Sequence, residues 1–558
     1  MVDLRAKPFY LNDSAVQWVE QTLDNMTLDE KLGQVFIQLA QPNKDYLDKK
    51  ILSKHVGGIL FRQNEAKVIQ DTLRYIQQSS KIPVLFCGNL EEGGIGLAKE
   101  GTYFSKQMET IATGNPDFAY QNGRVLAKEA SALGCHMSFG PVVDMTIDWR
   151  SAITSTNTYG ADANQVLKYA AANMKGQMEN GLVTAVKHFP GEGADDHDQH
   201  YNCEVNEMSI AEWDNVFGKV FQGLIDQGTM SIMPGHIALP SYQKYYKEDT
   251  NGQIMPATYS KALLTDLLRE QLGFNGLIIS DNTCIAGASN YLPRYQAVPQ
   301  MLMAGIDLIL YSFDMDEDLD YLKAALQDGR LTMERLDEAV TRNLAVKASL
   351  GLHEKQAAGT LVPDEAALDV LNCSEHQELA RQCADEAITL VKDGQNLLPL
   401  NAKEHQKILL TVISDPWERS HVEEIAKEQL EKAGFTVTIS DPKAPMPEDN
   451  SVRAWQKKYD LFLYLSHQES ARKDKLSLRI NWHEAGNLPR FAADIPTLHI
   501  SFGNPFELYD LPNIKTYINA YCLTDTVVEE TLKKVLGQSS FKGISPVDPF
   551  CGKDYLRY

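Results

Sequence analysis

The stretch Lys187-His188-Phe189-Pro190-Gly191-Glu192-Gly193 follows directly on the apolar run Leu182-Val183-Thr184-Ala185-Val186. A short apolar run that ends in turn-forming residues is typical of a buried strand, so we predict a strand here. The glycines on either side of Glu192 favour an irregular backbone, and we expect the chain to leave the strand as a mobile surface loop. That loop carries the sequence Asp198-Gln199-His200.

Asp198 and His200 are the residues of this loop that could act in acid–base chemistry. In an extended segment, residues two positions apart point to the same side, so the Asp198 carboxylate can bond the His200 imidazole. We predict that His200 is a general acid/base and that Asp198 orients it and stabilises its charged form. One alternative is an ordinary Asp–His contact in a solvated loop. Another is a metal site with Asp195, Asp196 and His197, but regular zinc spacing is absent and we predict no metal.

Seven further apolar runs resemble the one before Lys187, and helical periodicity separates most of them. Eight strand–helix units in about 350 residues predict a (β/α)8 barrel of the TIM type. The predicted strands are Gln34–Leu39, Gly57–Phe61, Pro83–Cys87, His136–Val143, Thr184–His188, Ser231–His236, Leu277–Ser280 and Asp307–Tyr311.

Polar side chains follow these runs with a regularity that supports the barrel. Active sites of such barrels lie at the carboxyl ends of the strands. The residues placed there by the sequence are Asn89, Glu92, Asp144, Lys187, His188, His236 and Asp281. We therefore expect these side chains to meet at one end of the barrel.

The remainder of the chain predicts a second, smaller domain. A helix over Thr332–Leu350, with Thr332 as its N-cap and Gly351 after its end, closes the barrel domain, which we place at residues 1–352. Residues 353–374 have the composition of a linker. From residue 375 to 558, strand-like runs alternate with helices, which predicts a doubly wound α/β sandwich domain.

Composition excludes several classes of protein. The 558 residues carry a net charge of −22, which argues against nucleic acid or an anionic membrane as a partner. No apolar run approaches a membrane span and no signal-like segment opens the chain, so we expect a cytoplasmic protein. The eight cysteines lack regular spacing and are expected to be reduced. A local basic segment with Arg472, Lys473 and Lys475 is predicted to be a solvated surface loop.

The motif around Lys187 resembles the signature of family 3 glycoside hydrolases, in the branch that contains the β-N-acetylglucosaminidases. That signature is Lys-His-[Phe/Ile]-Pro-Gly-x-Gly, four residues, then Asp-[Ser/Thr]-His, and this chain departs from its fixed positions only at Gln199. The segment from His376 to Leu400 is also similar to the opening of the family's second domain. The resemblance implies a barrel with a second α/β domain and no cofactor.

The resemblance also implies roles for individual residues. Asp281, in the strand-terminal Ser280-Asp281 pair, matches the family's nucleophile. Taken alone, this segment favours a helix N-cap, but the presence of the Asp198 and His200 loop favours the nucleophile. Lys187 and His188 match a pair that binds hydroxyl groups of the sugar, and His236 resembles a histidine at the next strand. A hydrogen-bonded core histidine would look the same as His236 in the sequence.

Three positions depart from the family pattern. Asn89 stands where many members have a sugar-binding Asp, and Asn157 stands where they have a sugar-binding Arg. We place both among the predicted substrate-binding residues. Glu192 occupies a position that is usually neutral or His. The residues predicted to react, Asp281, Asp198 and His200, are all present.

The predicted activity is retaining hydrolysis of a terminal β-linked N-acetylhexosamine such as GlcNAc, through a covalent glycosyl-enzyme on Asp281. Within the family, a β-glucosidase, a β-xylosidase or an N-acetylglucosaminide phosphorylase are alternatives. A histidine acid would repel phosphate less than a carboxylate does. From another class, a catalytically silent sugar-binding protein would fit the changes at Asn89 and Asn157. The predicted partner is a carbohydrate; the oligomeric state is left open.

Overall fold

In this computed structural model, the chain is described at residues 2–414, 416–441, 443–444, 448–468, 478–480, 482 and 488–558. The basic segment with Arg472, Lys473 and Lys475 lies outside these residues. The chain forms two compact units. The first comprises Met1–Phe104, Ala119–Asp148 and Asp162–Gln377; the second comprises Ser105–Phe118, Trp149–Ala161 and Glu378–Tyr558.

The first unit contains a closed barrel of eight parallel strands in sequential order, so the prediction of a (β/α)8 barrel is confirmed. Each of the eight predicted apolar runs supplies one strand. The strands are β1 (Phe36–Ala40), β2 (Gly58–Phe61), β3 (Leu85–Gly88), β4 (Met137–Ser138), β5 (Val183–Phe189), β6 (Ser231–Pro234), β7 (Leu277–Asn282) and β8 (Leu308–Leu310). A short parallel ribbon, Glu204–Val205 with Ile237–Ala238, lies outside the barrel sheet.

Helices connect the barrel strands, and the predicted caps are present. Thr332 Oγ1 accepts a hydrogen bond from the Arg335 amide at the start of the helix Met333–Ser349. The helices are Asp13–Asp24, Leu28–Gln34, Lys44–Lys50, Ala66–Ser79, Asp117–Ala132, Ala163–Met178, Ile210–Trp213, Lys219–Asp226, Pro240–Tyr245, Ala286–Ser289, Arg294–Ala304, Met315–Asp328, Met333–Ser349 and Leu352–Ala358, with π-helical segments at Asp214–Gly218 and Ala262–Gln271.

One buried charge cluster ties strand β8 to its surroundings. The Asp307 carboxylate, which is fully buried, pairs with Arg269 at 2.5 Å, Arg335 at 2.8 Å and Arg342 at 3.5 Å. It also accepts the Ile278 amide of β7 at 2.9 Å. Burial alone would raise the pKa of Asp307, but the three guanidinium groups lower it. The cluster therefore holds β7, the strand that carries Asp281, in register with β8.

The second unit contains a six-stranded sheet with strands β9 (Thr389–Asp393), β10 (Lys407–Ile413), β11 (Thr436–Ile439), β12 (Leu461–Ser466), β13 (Thr497–Ser501) and β14 (Thr516–Asn519). Their order is β9-β14-β13-β12-β10-β11. Only β9 is antiparallel to its neighbour. The strand order reverses at β10, as in doubly wound sheets. The helices are Gln107–Ala112, Ser374–Ala387, Pro416–Lys432, Val452–Lys458 and Asp525–Val535.

The two units are built from several segments each, whereas the sequence analysis predicted two contiguous ranges, 1–352 and 375–558. Segments 105–118 and 149–161 belong to the second unit, although they precede residue 352, and the first unit extends through Gln377. The predicted linker 353–374 includes most of the helix Leu352–Ala358 and a 3-10 turn at Glu365–Val370. Among the described residues, no helix is long and apolar enough to cross a membrane.

Candidate active site

Asp281 stands at the carboxyl end of β7, where the sequence placed the nucleophile. Its Oδ1 accepts a hydrogen bond from the Asn282 amide at 2.6 Å. Its Oδ2 lies 3.5 Å from His188 Nε2 and has no hydrogen-bond partner among the described residues. The side chain is 13% exposed. Oδ1 thus accepts a backbone amide, while Oδ2 is buried and faces the His188 ring.

The surroundings of Asp281 keep its carboxyl ionised. Burial alone would raise its pKa, but His188, His236, His200 and Lys187 outweigh burial and lower the pKa to about 2. An ionised carboxylate is the form that can attack an anomeric carbon. Asp281 therefore has the charge state that the predicted nucleophilic role requires.

His188, at the end of β5, is held on three sides by carboxylates. Its Nδ1 lies 2.7 Å from Asp144 Oδ2 and 3.2 Å from Glu192 Oε2, and its Nε2 faces Asp281. Burial would lower the pKa of His188, but these carboxylates raise it well above its ordinary value. Both ring nitrogens of His188 thus face carboxylates, and binding of a sugar hydroxyl by His188 stays a prediction.

Asp144 organises this corner of the site. Its Oδ1 accepts hydrogen bonds from the backbone amides of His188 and Glu192, each at 3.0 Å, while its Oδ2 bonds the His188 ring.

Neighbouring Lys187 forms a short ion pair with Glu91. Burial would lower the pKa of Lys187, yet Glu91, Asp281 and Asp144 raise it. Two basic side chains thus lie at the carboxyl end of β5.

Asp198 and His200 are in contact, as predicted. His200 Nδ1 lies 2.7 Å from Asp198 Oδ1, and the same oxygen accepts the His200 amide at 2.8 Å. The geometry is a turn and not the extended segment we expected, because Asp198 also accepts the Tyr201 amide through its carbonyl. Burial would lower the pKa of His200, but Asp198, Asp281 and Glu192 raise it.

The exit from β5 is more buried than the surface loop predicted from the sequence. Glu192 is 1% exposed and Gln199 is completely buried, whereas the His200 side chain remains 44% exposed. Gln199 Nε2 donates to Glu192 Oε2 at 2.8 Å. The prediction was wrong for these residues because the polar side chain of Gln199 has an internal partner and needs no water.

His236 is fully buried and has protein partners on both ring nitrogens. Its Nε2 lies 3.0 Å from the Asn282 carbonyl oxygen, and its Nδ1 lies 2.8 Å from Thr258 Oγ1. Burial lowers the pKa of His236. This geometry favours a ring that holds the end of β7, next to Asp281, over a direct sugar contact. Binding of substrate by His236 stays a prediction.

The two asparagines predicted to bind substrate occupy different units. Asn89 directly follows β3 in the first unit and has an exposed side chain. Asn157 is part of the second unit, where its Nδ2 donates to the Ile153 carbonyl at 3.4 Å. Their roles in binding stay predictions.

Two groups of side chains bring potential metal ligands within 4.8 Å of one another: Asp144, His188 and Glu192, and Asp195, Asp196 and His197. In the first group, His188 Nδ1 lies 2.7 Å from Asp144 Oδ2. The second group is largely exposed, and His197 pairs with Asp195 at 2.8 Å. Exposed acidic residues in this arrangement are common without an ion.

Sequence reasoning gave no role to Asp144, Glu91 or Gln199. Asp144 was recognised as a strand-end residue, and its position after β4 was the available signal. Glu91 could have been found as an acidic residue two positions after Asn89. The only signal for Gln199 was that it departs from the family pattern, and the same is true of its partner Glu192.

Comparisons with known proteins show which family and which solved structures this chain resembles. The sequence model described as the N-terminal domain of glycosyl hydrolase family 3 matches residues 27–346. A beta-N-acetylglucosaminidase/beta-glucosidase from Cellulomonas fimi is 38% identical over 99% of both chains. A beta-hexosaminidase from Nitrosomonas eutropha is 31% identical over 53% of this chain and 85% of its own.

Among solved structures, the beta-glucoside phosphorylase BglX bound to 2FGlc has a TM-score of 0.93 and 36% sequence identity, with 98% of this chain and 99% of that chain covered. A family 3 beta-N-acetylglucosaminidase from Paenibacillus has a TM-score of 0.77 at 23% identity, with 94% of this chain and 99% of that chain covered, and shares the fold. On the family match and the full-length similarity to the Cellulomonas protein, this chain belongs to glycosyl hydrolase family 3.

Proposed function

We propose that this protein cleaves terminal β-linked glucose or N-acetylglucosamine from its substrates with retention of configuration. The observation that carries the proposal is the position of Asp281 at the carboxyl end of β7, beside His188, in the unit that also holds the Asp198–His200 contact. A carbohydrate substrate follows from membership of the family. Both sugars are kept because the Cellulomonas relative is named for activity on both.

The chemistry divides into two steps. The Asp281 carboxylate attacks the anomeric carbon while the His200 imidazolium gives its proton to the departing glycosidic oxygen, which leaves a glycosyl ester on Asp281. Neutral His200 then accepts a proton from water as the water oxygen attacks the same carbon and the ester bond breaks. Asp198 holds the ring throughout and stabilises its charged form.

Phosphorolysis is a second candidate, in which phosphate replaces water in the second step. The observation that favours it is the similarity along nearly the whole chain to a beta-glucoside phosphorylase at 36% identity. After the first step a carboxylate acid/base would be an anion, whereas His200 is neutral. Since like charges repel strongly in a partly buried site, a histidine at this position lets the phosphate anion approach.

The test measures 4-nitrophenol release from the β-glucoside and the β-N-acetylglucosaminide, with and without phosphate and with sulfate as the ionic-strength control. We expect turnover of at least one substrate by the wild-type protein and none by Asp281→Ala. Azide should restore activity to Asp281→Ala and yield the inverted glycosyl azide, because a small anion can occupy the space of the missing carboxylate.

The outcomes separate the candidates. Accumulation of free sugar at a rate independent of phosphate supports hydrolysis. Accumulation of the sugar 1-phosphate, detected by mass spectrometry, together with phosphate-dependent turnover supports phosphorolysis. A fully active Asp281→Ala variant would overturn both.

A further inference from the structure

Gln199 lies between the two residues of the acid/base pair and its side chain points into the protein. Its Nε2 donates to Glu192 Oε2 at 2.8 Å and its Oε1 accepts the His236 amide at 2.6 Å. The residue is completely buried and Glu192 is 1% exposed. Because one end of the amide donates and the other accepts, only one orientation of this side chain satisfies both partners.

The partner Glu192 connects this amide to the nucleophile's surroundings. Its backbone amide donates to Asp144 Oδ1 at 3.0 Å, and its Oε2 lies 3.2 Å from His188 Nδ1. His188 in turn faces Asp281. Gln199 is thus linked through Glu192 and His188 to the carboxylate that is proposed to attack the sugar.

The backbone of the same segment is fastened to the residues that follow β7. The His200 carbonyl oxygen accepts the Ala286 amide at 3.1 Å. A Cβ added to Gly287 would overlap the Gln199 carbonyl oxygen, so the two backbones are in direct contact. The side chain of Gln199 and the backbone of residues 199–200 therefore contact the segments that follow β5, β6 and β7.

We propose that Gln199 is a positioning residue that fixes the His200 imidazole relative to Asp281 before the sugar binds. The inference rests on the proposed function, because it concerns the placement of the proposed acid. The two departures from the family motif, Glu192 and Gln199, are partners in this arrangement. A Ser or Thr at position 199 is too short to reach both Glu192 and the His236 amide.

The test exploits the different need for acid catalysis of two leaving groups. The value of kcat/KM reports the step that forms the glycosyl-enzyme, in which phenol must be protonated but 2,4-dinitrophenolate need not be. Correctly placed general acids contribute roughly 10²–10⁴-fold. We expect Gln199→Met to lower kcat/KM for the phenyl glycoside about 10- to 100-fold and to change it little for the dinitrophenyl glycoside.

Two further variants and a control complete the design. Gln199→Ser removes the same two hydrogen bonds with a smaller polar side chain and should show the same contrast if Gln199→Met folds poorly. Gln177→Met makes the identical change at another buried glutamine, whose Nε2 donates to Asn173 at 2.6 Å in the helix Ala163–Met178. This control should lower thermal stability without any contrast between leaving groups.

The variant His200→Ala, measured in parallel, distinguishes failure of the positioning role of Gln199 from failure of the proposed function. If His200→Ala loses activity selectively on the phenyl glycoside and the folded Gln199 variants do so as well, the inference is supported. If His200→Ala shows the contrast but the Gln199 variants lose both substrates equally or neither, the positioning role is overturned. If His200→Ala lacks the contrast, the proposed function itself fails.

Discussion

Replacing His188 by Gln should make the nucleophile protonate at a higher pH. The His188 Nε2 lies 3.5 Å from Asp281 Oδ2, and of the charges that lower the Asp281 pKa to about 2, His188 is the largest. Unit charges about 3.5 Å apart attract by about 5 kcal/mol at an effective dielectric constant of about 20. Water and the remaining cations offset part of the attraction that is lost, so we expect the pKa of Asp281 to rise by about two units.

The assay is the pH dependence of kcat/KM for the 2,4-dinitrophenyl glycoside, because its leaving group requires no acid and removes His200 from the profile. Activity requires ionised Asp281, so it falls as pH drops through the pKa of that group. The acid limb of His188→Gln should therefore lie about two pH units above that of the wild-type protein.

A matched control is His197→Gln, which removes an exposed imidazole that pairs with Asp195. This variant should keep the wild-type acid limb. Circular dichroism at each pH verifies that the variants remain folded over the range used. An acid limb of His188→Gln at or below the wild-type position would refute the electrostatic account of Asp281.

Three further predictions concern other parts of the structure. For the phenyl glycoside, kcat/KM should fall at high pH with a midpoint above 6.5, since the pKa of His200 is raised and only its protonated form can act; a midpoint at or below 6.5 contradicts this. Asp307→Asn should lower the free energy of unfolding by about 3–5 kcal/mol, measured with urea at neutral pH, because three guanidinium groups lose their buried anion; a change below about 1 kcal/mol would be inconsistent with the cluster's importance. Gly191→Ala should lower thermal stability and kcat, because the φ of Gly191 is +117° and the new Cβ would overlap the Phe217 ring. The control Gly181→Ala has a positive φ but open space around it, so it measures the backbone strain alone. Equal losses of stability in the two variants would exclude the clash with Phe217.

The barrel was predictable because each strand is a short apolar run followed by polar residues. The position of Asp281 at the end of β7 was predicted for the same reason, whereas its role as the nucleophile was inferred from the resemblance to the family and stays a prediction. The contact between Asp198 and His200 was predicted from their spacing, although the backbone there is a turn. Local sequence pattern was enough to predict an element whose burial is periodic, or a contact between residues that are close in sequence.

What escaped prediction depends on contacts between distant segments. Asp144 meets His188 across 44 residues, and Glu91 meets Lys187 across 96; neither pair has a local signal. The burial of Gln199 depends on Glu192 and the His236 amide, which the sequence does not place beside it. Segments 105–118 and 149–161 join the second unit without any change of composition that would mark them.

The central claim is that Asp281 forms a covalent bond to the sugar. The most direct measurement is incubation with 2,4-dinitrophenyl 2-deoxy-2-fluoro-β-glucoside, which slows both steps but the second more, followed by proteolysis and mass spectrometry. The account predicts one equivalent of fluorosugar on the peptide containing Asp281, and none on Asp281→Ala. A label on any other carboxylate, or inversion without a trapped intermediate, would contradict it.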